Sequence, residues 1–358
     1  MIPLYKPFMP ELHEIDEILH SGNLASGIYN NRFEESLKKY FDVNSLIVTN
    51  SFHTAISVAI TSIGLNDGDE VILSPMGCLA STQPYENERL KLVWADIDPW
   101  TGTLDPDSVR SKITPRTKCI VHNHFCGYAG YIDEINQIAH DNGIVVIDDG
   151  IECFGTEYKN RKIGNCGSDV TVFSFTAVRM PNTIDGGCVI FKDKKYYEKS
   201  KLIRDCGIDR TKFRDDLGEI DSKCDITLRG YSATMSNINA YIGIQQMKYI
   251  QRNIDVQREI AALWDQRVGG TQYKTIRLKD TLPNYWVYGI LADDKRKTIQ
   301  AFRDKGMYAS GVHINNNIYS LFKDKTELPG VNDFYSKFVA LPCGWWMSDE
   351  DKDKIIKI

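Results

Sequence analysis

A chain of 358 residues with 42% hydrophobic and 25% charged side chains has the composition of an ordinary soluble globular protein, long enough for two domains. Its net charge of -5 gives no electrostatic reason to expect nucleic acid or an anionic membrane as a partner. No stretch approaches the ~18 apolar residues that span a bilayer, and MIPLYKPFMPELHEI lacks the basic start and apolar run of a signal peptide, so a cytoplasmic protein is expected.

Strand and helix signals alternate over the first two-thirds of the chain. Ser45–Val48 is a short apolar run, followed by the helical spacing of Ala55, Ile56, Ala59, Ile60 and Ile63 and a stop at Gly64. Glu70–Leu73 and Lys91–Ala95 read as further strands, as do Cys119–His122 and Ile144–Asp148 on either side of a helix at Asp133–His140. Val170–Phe175 and Gly187–Phe191 complete the series. This rhythm predicts a three-layer α/β/α domain with a mainly parallel sheet. The pattern then changes to one long helix over about 236–268, the strands TIRL and YWVYGIL, a helix at 294–305 and a strand ending in GVHI. A smaller α+β domain at 249–358 is therefore expected after a large domain at 1–248.

The nine cysteines, at 78, 119, 126, 153, 166, 188, 206, 224 and 343, are an odd set without CxxC spacing. They read as reduced thiols rather than as a disulfide framework or a zinc site, with Cys153 and Cys188 as small core residues. His122 and His124 could share a strand face, but no carboxylate or cysteine pattern beside them supports a metal, and none is expected. Trp345-Trp346 reads as packing or interface.

Four runs in order carry a resemblance: SGNLASGIYNNRFEESLKKYF, LNDGDEVILSP, VWADIDPWTGTLDPDSVRSKITPRTKCIVHNHFCG and GIVVIDDGIECFGTEYKNRKIGNCGSDVTVFSF. Together with KGMYASGVHI and LPCGWWMSDED they resemble the DegT–StrS family of sugar aminotransferases over nearly the whole chain. The resemblance implies pyridoxal-phosphate fold type I, a homodimer, and a nucleotide-linked keto sugar as substrate. It also implies a lysine amine that forms a Schiff base and shuttles a proton, and a carboxylate that keeps the pyridine nitrogen protonated. By this resemblance Asp149 matches that carboxylate, at a strand end where open α/β sheets place ligands. Glu152 stands at a position usually Gln or His. Ser174 matches a phosphate-binding hydroxyl, and His313 matches a histidine near the sugar.

The departures cluster at the same site. The family's phosphate turn is matched by Asn50-Ser51-Phe52-His53-Thr54, with Phe52 where glycine would let the backbone approach a phosphate. Leu79 stands where an aromatic ring would stack. Ser232 and Thr234 replace an Asn and an Arg that reach the partner subunit's phosphate. Arg179 stands at the Schiff-base position, and no lysine occurs between Val170 and Cys188. A guanidinium stays protonated and is a poor nucleophile.

The expectation is therefore a degenerate or repurposed sugar-aminotransferase homologue in surface-polysaccharide or deoxysugar biosynthesis. It would bind a nucleotide-linked sugar without forming a pyridoxal-phosphate aldimine, and no cofactor is expected unless the pocket still accepts the pyridoxal or pyridoxamine form. Two alternatives stay open: an active aminotransferase or dehydratase, and an inactive subunit paired with an active paralogue. Arg179 could be a counter-ion to Asp149 and Glu152, could join His53 in binding an anion, or could lie at the surface. Any residual acid–base chemistry would fall to Asp149, Glu152 or His313.

Overall fold

The computed structural model describes residues 1–357. Its main sheet has seven strands: β1 (Leu46–Thr49), β2 (Glu70–Leu73), β3 (Lys91–Trp94), β4 (Thr117–Asn123), β5 (Val145–Asp149), β6 (Val170–Ser174) and β7 (Gly187–Phe191). The spatial order is β1-β7-β6-β5-β4-β2-β3, and every neighbouring pair is parallel except the two that involve β7.

These strands read as continuous apolar runs because both faces are covered. In β4, Cys119 and Val121 enter one core cluster and Ile120 another; in β5, Ile147 and Val146 divide the same way. The first face packs against α2 (Phe52–Ile63) through Phe52, Ala55, Ile56 and Ala59. The second packs against α1 (Ile28–Phe41), through Phe33, Leu37 and Phe41, and against α3 (Ile132–Asn142), through Ile135, Ile138 and Ala139. The result is the three-layer arrangement that the alternating elements predict. Strand parity then decides the site: Asp149 shares the α2 side with Ile147, and Asp148 points to the other side with Val146.

Beyond the main sheet, the helix expected over 236–268 is two helices, α4 (Asn237–Met247) and α5 (Ile250–Val268). Tyr249 leaves helical geometry at φ -112 and ψ -7, and the amides of Lys248 and Tyr249 bond three residues back, to Gln245 and Gln246. The Tyr249 ring packs 5.2 Å from Phe8, a tertiary contact to which helical periodicity is blind. A second sheet sets β8 (Tyr288–Leu291) antiparallel between Lys274–Thr275 and β9 (Phe338–Leu341). The TIRL strand is shorter than expected and ends at Thr275, and Arg277 beyond it donates to the Tyr285 hydroxyl at 2.9 Å. All nine cysteines are free thiols, and Cys153 and Cys188 are buried core residues. No helix among the described residues is long and apolar enough to cross a membrane.

Candidate functional site

Asp149 is the last residue of β5, level with Asn123 of β4 and wholly buried. One carboxylate oxygen, Oδ1, accepts the Ile151 amide at 3.0 Å, while Oδ2 has no partner. Burial pushes its pKa up to about 6; Ser81, the Ile151 amide and Asn123 pull the other way, and Glu152 adds to the rise. Neither the Ser81 hydroxyl nor the Asn123 amide nitrogen completes a hydrogen bond, so three polar groups remain unsatisfied around one point. Such a set calls for a ligand or water.

Three residues on, Glu152 is as deeply buried but fully engaged. Its Oε2 accepts the Cys126 amide at 2.8 Å, and its Oε1 meets His313 Nε2 at 2.9 Å and Arg179 Nη2 at 3.2 Å. Burial alone would raise its pKa, but His313, Arg179 and the Cys126 amide overcome this and hold it down at about 2. The segment that delivers His313 is not the strand expected of GVHI. Val312 has φ 58, and the His313 amide bonds back to the Gly311 carbonyl at 2.7 Å, the signature of a tight γ-turn. A β-branched residue at positive φ is strained, and this one immediately precedes the imidazole that meets Glu152.

Arg179 is 6% exposed, so the surface placement is excluded. Its amide donates to the Thr176 carbonyl at 2.8 Å, and its own carbonyl accepts the Tyr5 hydroxyl at 3.0 Å. The guanidinium lies 4.5 Å from the centre of the Trp286 ring, and Trp286 is itself fixed by a bond from its indole nitrogen to the Val178 carbonyl at 3.0 Å. Among the described residues its ion-pair partner is Glu152, not Asp149, and its Nε and Nη1 atoms have no partner. The half-buried Cys78 thiol, next to the rim residue Leu79, lies close enough to feel the charges of Glu152, Arg179 and Asp149.

The turn that resembles the family's phosphate turn keeps an ordinary helix N-terminus despite its sequence. Ser51 caps α2 by accepting the Thr54 amide at 3.1 Å. The ring of Phe52 turns into the core at 3% exposure, so it does not stand over the helix N-terminus. Gly187 makes this possible: a Cβ there would lie 3.0 Å from the Ser51 carbonyl oxygen and 3.1 Å from the Phe52 Cα. Ser174 is buried, with its hydroxyl 3.2 Å from that of Thr176. His53 faces outward to Asn87 at 3.2 Å, which leaves it no visible part in an anion site with Arg179. Leu79 sits at the rim, 37% exposed, as an apolar cover. The backbone carbonyl of Ser232 accepts Asn50 Nδ2 at 2.9 Å, tying its segment to the phosphate turn.

His122 and His124 do share a face, and register supplies the carboxylate that spacing could not: Asp148 lies beside His122. His122 Nδ1 is 3.4 Å and His124 Nε2 3.7 Å from Asp148 Oδ1. The Gly130 amide donates to His124 Nδ1 at 3.2 Å, while among the described residues His124 Nε2, both nitrogens of His122 and Asp148 Oδ1 have no hydrogen-bond partner, so the carboxylate that the spacing did not supply completes a set of the kind that can hold a metal ion. Trp345 and Trp346 pack on Phe8 and Tyr5. The sequence reading missed Trp286, Tyr5, Cys126 and Asn123. Asn123 and Cys126 lie in a run that carries the resemblance and Trp286 and Tyr5 in none, and each reaches the site through tertiary placement or a backbone amide.

The chain matches the model of the DegT/DnrJ/EryC1/StrS aminotransferase family over residues 9–358. It is 27% identical to the spore coat polysaccharide biosynthesis protein SpsC of Bacillus subtilis, covering 97% of this chain and 92% of that one. It is also 27% identical to the GDP-perosamine synthase of Escherichia coli O157:H7, covering 98% and 95%. The sugar aminotransferase CalS13 of Micromonospora echinospora superposes with a TM-score of 0.93 at 25% identity, over 100% of this chain and 98% of that one. CalS13 is a sugar aminotransferase and the matched family is one of aminotransferases, and the expectation that no cofactor is held gains no support from them. The residues present suit such a group held without a covalent link: Asp149 offers an unpartnered buried oxygen to a ring nitrogen, and the capped α2 terminus and Ser174 lie ready for a phosphate. With a match that runs through the main sheet, the strained His313 turn and the second sheet, the chain belongs to the DegT/DnrJ/EryC1/StrS aminotransferase family.

Proposed function

We propose that this protein binds a nucleotide-linked keto sugar in surface-polysaccharide or deoxysugar biosynthesis, and that it does not run transamination through a protein amine. The observation that carries this is Arg179. It occupies the loop that resembles the lysine-bearing loop of the family, it is buried, and it is held by Glu152 and Trp286. A guanidinium cannot supply the nucleophilic amine, and no lysine lies between Val170 and Cys188 to replace it.

When bound, a pyridoxamine-type cofactor would supply an electron sink and a transferable amine. Asp149 would hold its ring nitrogen, and the Ser51-capped helix with Ser174 would hold its phosphate. What the chain itself adds is a proton carrier. Glu152 fixes His313 at 2.9 Å, in the geometry by which a carboxylate orients an imidazole for proton transfer. This dyad favours a second reading, in which the protein uses a non-covalently held amine-form cofactor in a dehydratase-type reaction with His313 moving the proton.

The two readings share one test. Protein incubated with pyridoxal phosphate should give no protein-bound band in the ~400 nm region and no lysine adduct after borohydride reduction. Pyridoxamine phosphate should raise the melting temperature under the second reading and leave it unchanged under the first. A yellow protein whose colour borohydride fixes on a lysine would sink both.

A further inference from the structure

On the face of the sheet turned away from Asp149, the ends of β4 and β5 bring together His122, His124 and Asp148, all three buried. Both nitrogens of His122, Nε2 of His124 and Oδ1 of Asp148 lack a hydrogen-bond partner among the described residues. Polar atoms so placed are costly unless something joins them.

Their spacing indicates what that is. His122 Nδ1 lies 3.4 Å and His124 Nε2 3.7 Å from Asp148 Oδ1. Direct hydrogen bonds would draw these atoms to about 2.7–3.2 Å, and a water bonded tetrahedrally to all three would hold them about 4.6 Å apart. Ligands about 2.0–2.2 Å from a tetrahedral metal ion lie about 3.3–3.6 Å from one another. The observed pair is nearest the last.

The surroundings hold the three side chains in place. The Ser168 hydroxyl donates to Asp148 Oδ2 at 2.6 Å, which leaves Oδ1 for the rings. Gly130 makes room for His122, since a Cβ there would lie 2.3 Å from Nε2. The Gly130 amide donates to His124 Nδ1 at 3.2 Å, so Nε2 is the nitrogen left to coordinate. With Nδ1 accepting, a metal at Nε2 takes the place of the ring's proton. The deprotonated ring and the Asp148 carboxylate then balance a dication in a buried site. Two imidazole nitrogens and one carboxylate oxygen suit zinc better than magnesium or calcium. The other comparable group, Cys126, Glu152 and His313, has spent its carboxylate on the Cys126 amide, the imidazole and the Arg179 guanidinium.

We propose that His122, His124 and Asp148 hold a single Zn²⁺ ion that clamps the end of β4 to the end of β5 behind the Asp149 pocket. One coordination position is left for a water. The ligands face the opposite side of the sheet from Asp149, so the ion is structural, and its presence does not rest on the nucleotide-sugar reading.

The test is metal content. Full-length protein is produced in zinc-supplemented medium, dialysed against EDTA and assayed for zinc by plasma mass spectrometry. Because its site is buried, wild type should keep one zinc ion per chain. His122→Gln and Asp148→Asn should each lower that content by more than about tenfold. Cys206→Ser, which removes an exposed thiol, should leave it unchanged. Where the two ligand variants do not fold, as judged by melting curves, wild type produced with cobalt decides the matter. Tetrahedral Co²⁺ on nitrogen and oxygen gives visible bands without a thiolate charge-transfer band. The site is overturned if wild type keeps no zinc, if both folded ligand variants keep it, or if Cys206→Ser loses it. A cobalt spectrum with a thiolate band, or without tetrahedral bands, overturns it equally. Each of these outcomes leaves the nucleotide-sugar reading as it stands.

Discussion

Asp149 and Glu152 stand three residues apart, equally buried, and titrate in opposite directions: burial lifts the first to about 6, while partners hold the second at about 2. Desolvation acts on both. The difference is what faces them. Glu152 has an imidazole, a guanidinium and a backbone amide, all supplied by the protein. Asp149 has one amide and an empty-handed oxygen. The pocket thus has a finished side and an unfinished side. The finished side holds Arg179 and Glu152, and the unfinished side holds Asp149, the residue we propose as the partner of a cofactor's ring nitrogen.

The finished side should be the more sensitive. Glu152→Gln leaves Arg179 buried without its counter-charge, which costs about 3–5 kcal/mol, readable as a lowered urea midpoint at pH 7. Because the folded pKa lies below the ordinary value, Glu152 contributes stability that is present above about pH 4.5 and is lost as pH falls toward 2. The gap between wild type and variant should therefore shrink over that window. A midpoint within error of wild type at pH 7 would mean the ion pair is not what balances Arg179.

The unfinished side predicts the opposite sign. A raised folded pKa means the native state binds the proton more tightly, so stability falls as pH rises from about 4 to about 6. Asp149→Asn should then stabilise the cofactor-free protein by on the order of 2–3 kcal/mol at pH 7 and by nothing at pH 4. The same variant should lose any rise in melting temperature that pyridoxamine phosphate gives wild type. Stabilisation that persists unchanged at pH 4 would show that ionisation of Asp149 is not its source.

This comparison also explains how much could be read from the chain. The α/β rhythm, the parallel strands and the pocket's address were legible, since they rest on local apolar runs and on motif order. The state of each pocket residue was not. Phe52 looked like an obstruction because its ring was assigned to the turn that names it, whereas packing against the sheet takes the ring into the core. Arg179 was open to pairing with either acid; its place between Glu152 and Trp286 is a tertiary arrangement that sequence spacing does not reveal. Asp148 could be matched to His122 only once the β4–β5 register was known.

On the finished side Trp286 lies under the Arg179 guanidinium. Trp286→Phe keeps a ring but weakens the cation–π contact and removes the indole bond to the Val178 carbonyl. The expected loss is about 1–2 kcal/mol, below that of Glu152→Gln because the ion pair survives. A loss as large as that of Glu152→Gln would place the balance of Arg179 on the ring rather than on the carboxylate.

The smallest effect on stability is expected at Val312. Replacing it with glycine relieves a backbone conformation that costs a β-branched residue of order 1–3 kcal/mol. It also frees the unfolded chain and removes a half-buried side chain, each worth about 1 kcal/mol against the variant. These nearly cancel, so the denaturant midpoint should move by less than about 1 kcal/mol. The imidazole would nevertheless lose the turn that fixes it, because the γ-turn is what points His313 at Glu152. Its ring-proton NMR resonances should then be averaged over more orientations in Val312→Gly than in wild type. A variant that is markedly destabilised, with the His313 ring resonances as in wild type, would show that Val312 is held by packing and that its backbone strain does nothing for the dyad.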